Sequence, residues 1–162
     1  MTKFLEHCHI VHGYPNATIP AAEDVFAGNS GDVLSDVVNM ENAASAIFII
    51  TLTSGTGTAS IQILAADDVT PSNTSAVSFL YKAITAPDTQ GATTETKTLV
   101  AGAASDMIYV CEVDAIKLAE VGYGYVQLQA LEKSNFAVDG AITGPILMGL
   151  RSAEDVSPTQ VV

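Results

Sequence analysis

An all-β sandwich is the fold that this chain of 162 residues predicts, and three observations predict it. β-branched and aromatic residues recur in short runs with period-two alternation. Clusters of Gly, Pro, Asn and Ser separate those runs at regular spacing. No apolar pattern of helical period continues for about 11 residues or more. About eight antiparallel strands are expected, in a jelly-roll-like β-sandwich with an extended N-terminal arm. The immunoglobulin alternative lacks its usual marker, since the chain has no Trp. The expected organisation is an arm over 1–31, a sandwich over 32–151 and a polar tail over 152–162.

The arm carries Pro15, Pro20 and the turn-like Gly28-Asn29-Ser30-Gly31. Its apolar residues follow no sustained period, so neither a strand nor a helix on the parent domain is expected there. Asp32 to Met40 reads as the first strand of the body, with Leu34, Val38 and Met40 inside. Asn42 to Asp67 reads as a β-hairpin. Ala46 to Leu52 runs out, Ser54-Gly55-Thr56-Gly57 turns, and Ser60 to Ala65 returns with Ile61, Ile63 and Ala65 on one face. After a loop with Pro71 and Asn73, Ala76 to Thr85 is a strand with Val77, Phe79 and Tyr81 on one face and Leu80 on the other. Thr93 to Val100 alternates Thr, Glu and Lys, the pattern of a solvated edge strand.

Met107 to Asp114 is a strongly apolar strand. Ala115 to Glu120 is long enough for one helical turn. Tyr123 to Glu132 places Val126, Leu128 and Ala130 inside, and Ala141 to Leu150 places Ile142, Ile146, Met148 and Leu150 inside. The expected core therefore includes Ile49, Ile61, Ile63, Val110, Val126 and Leu128.

Composition narrows the function. There are 18 acidic and 6 basic residues, for a net charge of −12. That excess disfavours binding to nucleic acid, which needs a Lys/Arg stripe against the phosphates. It equally disfavours an anionic membrane surface. Charged residues make up 15 % of the chain, below the roughly 25 % of an average domain, as expected of a surface partly covered by neighbours. No secretion signal core is visible in MTKFLEHCHIVHG, and no apolar run is long enough to span a bilayer. Cys8 and Cys111 are far apart and lack CxxC spacing, so no disulfide is expected between them.

Motifs for catalysis are sparse. GxSxG, HExxH and the P-loop are absent, and Gly55-Thr56-Gly57 and Gly122-Tyr123-Gly124 do not open helices that could hold a phosphate. No enzyme activity and no cofactor are expected. His7, His9 and His12 are the weak metal candidates. In an extended segment positions 7 and 9 share a side, but a closed zinc site needs four ligands. Asp67-Asp68, Glu23-Asp24 and Glu112 with Asp114 are carboxylate pairs without the DxDxDG spacing of a calcium loop, and read as solvated acids.

Three stretches carry a family resemblance. They are HIVHGYPNATIP in the arm, AIFIITLTSGTGTASIQILAADDVTP in the body, and VDAIKLAEVGYGYVQLQALE from Val113 to Glu132. The chain resembles the small auxiliary β-proteins of tailed-phage virions, in particular head decoration (cement) proteins. The resemblance implies a structural protein made in the host cytoplasm that binds the outside of a capsid as an oligomer, often a trimer, with the major capsid protein as partner. Tail-tube and other virion proteins share this vocabulary. A carbohydrate- or calcium-binding β-sandwich module is the alternative of a different class. In the capsid reading the arm packs across a subunit boundary through Phe4, Leu5, Ile10, Tyr14 and Ile19, on a sister subunit, on the shell, or on both.

Overall fold

The computed structural model describes residues 8–11, 32–52, 58–87, 89–102, 107–132 and 140–149. Two antiparallel sheets face each other across one core. The strands are β1 (Cys8–Ile10), β2 (Asp32–Leu34), β3 (Val38–Asn39), β4 (Ser45–Leu52), β5 (Thr58–Ala66), β6 (Thr74–Val77), β7 (Phe79–Ala86), β8 (Thr89–Gln90), β9 (Thr94–Thr96), β10 (Leu99–Gly102), β11 (Met107–Asp114), β12 (Tyr125–Glu132) and β13 (Gly140–Met148). One five-residue helix, α1 (Ala115–Ala119), links β11 to β12. The fold is all-β, as expected.

The first sheet runs β1-β13-β4-β11-β7-β8, with β9 also on β7. The second runs β10-β5-β12-β2, with β3 on β12 and β6 on β5. Pairs of short strands share one neighbour: β8 and β9 follow each other along β7, β2 and β3 along β12, and β10 and β6 along β5. Each pair occupies the place of one broken edge strand, so the sheets act as six strands wide and four strands wide.

The expected hairpin is not one. β4 hydrogen-bonds to β11 and β13, and β5 to β12, β10 and β6. The two strands face each other from opposite sheets. Alternation says which side of a strand is buried, and both arrangements bury the same residues. Sheets pack about 10 Å apart, a gap that the five residues 53–57 can span. The chain changes sheet again at Ser78, between β6 and β7, and at Lys97-Thr98, between β9 and β10. At the second corner Thr98 N–H donates to Thr96 Oγ1 (3.1 Å), and Gln62 Nε2 donates to Thr98 Oγ1 (2.8 Å). The turn thereby binds to the sheet it enters.

The core is the interleaving of the two inner faces. Phe48, Ile50, Leu52, Tyr109, Cys111 and Val113 come from the first sheet. Ile61, Ile63, Val126, Leu128 and Ala130 come from the second. Ile61, Ile63, Val126 and Leu128 are where the alternation placed them. Ile49 and Val110 are not, because they face outward and are half-buried. Both lie in strands apolar on both faces (SAIFIITL, MIYVCEVD), where period two gives no sign of which face is inner.

Two further faces differ from expectation. Leu34 is 46 % exposed while Ser35 and Val37 are buried. The predicted single strand is broken at 35–37, and Ser35 replaces the ladder. Its N–H donates to Leu128 O (2.9 Å), its Oγ accepts from Leu128 N–H (2.9 Å), and Gln127 Nε2 donates to its carbonyl (2.6 Å). In β13 a bulge between Thr143 and Ile146 inserts one residue against β4. Ile142 before it faces the core, and after it Leu147 does, paired with buried Ala46. Met148 therefore turns outward, against expectation, and Ile146 shares that side but is buried, at 9 % exposure, since one extra residue reverses every later side chain. Leu150 and the tail lie outside the described residues.

Candidate functional site

Residues 8–11 of the predicted arm belong to the sandwich. β1 pairs with β13 (Cys8 with Met148, Ile10 with Ile146), and Val11 N–H donates to Pro145 O at 3.0 Å. Val11 is buried in the core. The expectation that the arm forms no strand on its parent domain is corrected here: three ladder residues and one core residue suffice to dock it, too few to show a period.

His9 lies opposite Leu147, on the inner side of this edge, and is half-buried. His7 and His12 lie outside the described residues, as do Phe4, Leu5, Tyr14 and Ile19. Among the described residues no three His, Cys, Asp or Glu side chains gather as a metal would need. Ile10 is the described member of the expected contact set, and it is 55 % exposed. Both cysteines are free. Cys111 lies opposite Phe48 on the inner face and Cys8 opposite Met148 on the outer, so the sheet separates them. Burial pushes the Cys111 thiol up to about 12.

The acidic pair Asp67-Asp68 opens a loop that Asp67 itself ties down. Its carboxylate accepts from Asn73 Nδ2 (2.9 Å), Ser72 N–H (3.0 Å) and Asn73 N–H (3.2 Å). Those bonds, the Asn73 side chain's first, hold it below the usual carboxylate value. This is the chemistry of a loop staple.

The feature that stands apart is the outer face of the six-stranded sheet. The registers line up its outward residues in rows. Ile10, Ile146, Ile47, Glu112 and Leu80 form one row from β1 to β7. Thr143, Ile49, Val110 and Lys82 form the next. Ala141, Thr51, Ile108 and Ile84 form a third. The face is thus mostly large aliphatic, with Leu80 at 41 % and Ile108 at 36 % exposure. Its one acid–base neighbour pair, Lys82 and Glu112, lines a shallow depression of about 340 Å³ with Leu80, Tyr81, Thr93 and Val110. Glu112 also accepts from Ser45 Oγ at 3.0 Å. The opposite sheet differs. Its outer rows set Gln62 beside Gln129 and Leu64 beside Gln127, and these amides bond to Thr98 and Ser35. That face too exposes Leu34 (46 %) and Val100 (58 %), and what sets the first sheet apart is that its outward aliphatic side chains run on across adjacent strands.

Sequence reading set Leu80 on the face opposite Phe79 and Tyr81 and named Ile10 as a contact residue, but assigned Ile49 and Val110 to the core. The available signal was the unbroken apolar run in two adjacent strands, more than one buried face requires. No helix among the described residues is long and apolar enough to cross a membrane. Comparison with protein-family models, with curated proteins and with solved structures finds no match.

Proposed function

We propose that this chain is a structural protein of a tailed-phage virion, a decoration protein that binds the outer surface of the capsid as an oligomer and stabilises the shell. The order implied by the resemblance is a trimer. The observation that carries the reading is the outer face of the six-stranded sheet, where aliphatic side chains run on across adjacent strands. Such a face suits adhesion, and on a symmetric lattice many modest contacts add up to strong retention. Net charge −12 opposes non-specific aggregation of the unassembled protein in the host cytoplasm.

The sandwich is of jelly-roll type in this reading. With β2 and β3 counted as one strand, β8 and β9 as another, and β1, β6 and β13 set aside, eight strands remain in chain order. Their order is 1-8-3-6 in the narrow sheet and 2-7-4-5 in the wide one. That order supports two interlocked Greek keys, the arrangement common in viral shell domains. β13 and β1 then extend the wide sheet beyond strand 2.

The test is co-sedimentation of the purified protein with shells of the encoding phage that lack it, together with the identity of the neighbouring genes. Binding at a fixed number of copies per shell, and a capsid gene nearby, are expected. Protein that stays in the supernatant, with tail genes on either side, would move the role to the tail tube. Binding on a glycan array that EDTA abolishes would favour the carbohydrate- or calcium-dependent module instead.

A further inference from the structure

We propose that the outer face of the six-stranded sheet is where a second copy of this chain docks, about a twofold axis passing between Lys82 and Glu112. This rests on the self-association in the function proposed above and puts a twofold pair in place of the trimer that the resemblance implies.

Size comes first. The aliphatic rows cover four strands about 4.8 Å apart and three outward positions about 6.8 Å apart, with Ile10 of β1 added at one corner, so the patch measures roughly 20 by 20 Å. That is on the order of 400 Å² in projection, and side-chain relief brings it towards the ~800 Å² per partner of a standard stable interface. It lies within the range of about 300–600 Å² of the largest patch on a typical monomer, a patch that is often functional.

Charge decides the occupant. Lys82 sits opposite Val110, and Glu112 sits one row away on the neighbouring strand. Among the described residues Lys82 forms no ion pair in its own chain. A twofold axis between the two side chains puts each Lys82 against the other copy's Glu112, twice, within an aliphatic surround. A purely basic partner would oppose Lys82, and a purely acidic one would oppose Glu112. The face is complementary to itself.

A contact of this kind makes pairs, so the mass in solution should be an even multiple of 16.8 kDa. Light scattering on the full chain reads this directly. Leu80→Lys with Ile108→Lys, both at exposed positions, should halve the mass and leave the far-UV dichroism intact. Val100→Lys, at an exposed position on β10 in the other sheet, should change nothing. Lys82→Glu alone and Glu112→Lys alone should each weaken the pair at least tenfold, and the two together should restore it. That exchange keeps the proposal testable if the double-lysine variant fails to fold. A trimeric mass would overturn the proposal while leaving the oligomeric decoration protein standing. A monomer at every concentration would remove both. A double-lysine variant of unchanged mass, dissociation by Val100→Lys, or a charge exchange that fails to restore the pair would each overturn the proposal alone.

Discussion

Ile63 and Ile49 are the same side chain in the same kind of strand, yet their worth to the fold differs. Ile63 is wholly buried among the facing strands, whereas Ile49 looks outward. Ile63→Ala should cost about 2–5 kcal/mol, the lost transfer energy plus a cavity. Ile49→Ala removes a half-buried side chain and should cost roughly 1 kcal/mol in the separated chain. Urea unfolding of the two variants checks this, and equal losses would mean that the outer face is covered from within the chain. Cys111 makes a second residue-scale prediction. Its thiol is held near 12 by burial, against 9.0 when unperturbed. Below pH 9 both states keep the proton and stability is unaffected. Between about pH 9 and about pH 12 the unfolded chain loses the proton more readily, so stability falls as pH rises. Cys111→Val should flatten that decline in urea melts recorded across the range. A thiol reagent at pH 8 should titrate one cysteine in the native protein and two after denaturation.

At the scale of elements, irregularities set the strand faces. Between β2 and β3 the ladder is replaced by Ser35, whose hydroxyl and carbonyl serve Leu128 and Gln127. Ser35→Ala leaves the Leu128 N–H without its acceptor in a buried place, a loss of about 1–3 kcal/mol. In β13 the bulge depends on Gly144, which has φ +121° and would put a Cβ 2.7 Å from Ile47 O. Gly144→Ala should therefore destabilise by roughly 1–3 kcal/mol, seen as a lower midpoint at unchanged m. A neutral result would mean that the bulge relaxes and β13 changes register, exchanging Ile146 for Leu147 at the core. Ser35 reads as any outward serine, and nothing in its type marks the break. Gly144-Pro145 does carry the mark of a bulge, which the reading of Ala141 to Leu150 as one regular strand passes over.

For the whole molecule, the docking of residues 8–11 changes what the arm does. Deleting residues 2–20 removes β1 and the buried Val11, so it should lower stability as well as any hold on a partner. Losing Val11 alone is worth roughly 1.5–3 kcal/mol, which at this size lowers the melting temperature by about 2–4 °C per kcal/mol. Deleting residues 2–7 spares β1 and Val11 and should lower the melt less than deleting residues 2–20. Scanning calorimetry of both deletions separates the roles, and equal melts would deny β1 any part in the fold. The two deletions then compared in capsid co-sedimentation report on partner contacts free of this effect.

Composition and alternation by themselves determined that this protein is all-β, that a short helical turn follows Asp114, and that Ile61, Ile63, Val126 and Leu128 lie inside. Those properties are local, because a side chain's period along its own strand decides them. Only the tertiary structure decided that β4 and β5 face each other instead of pairing, that residues 8–11 add a strand, and that Ile49 and Val110 point away from the core. Each of these depends on which strand takes the hydrogen-bonding edge of another. Backbone N–H and C=O groups are the same in every residue, so the side-chain sequence carries little record of that choice.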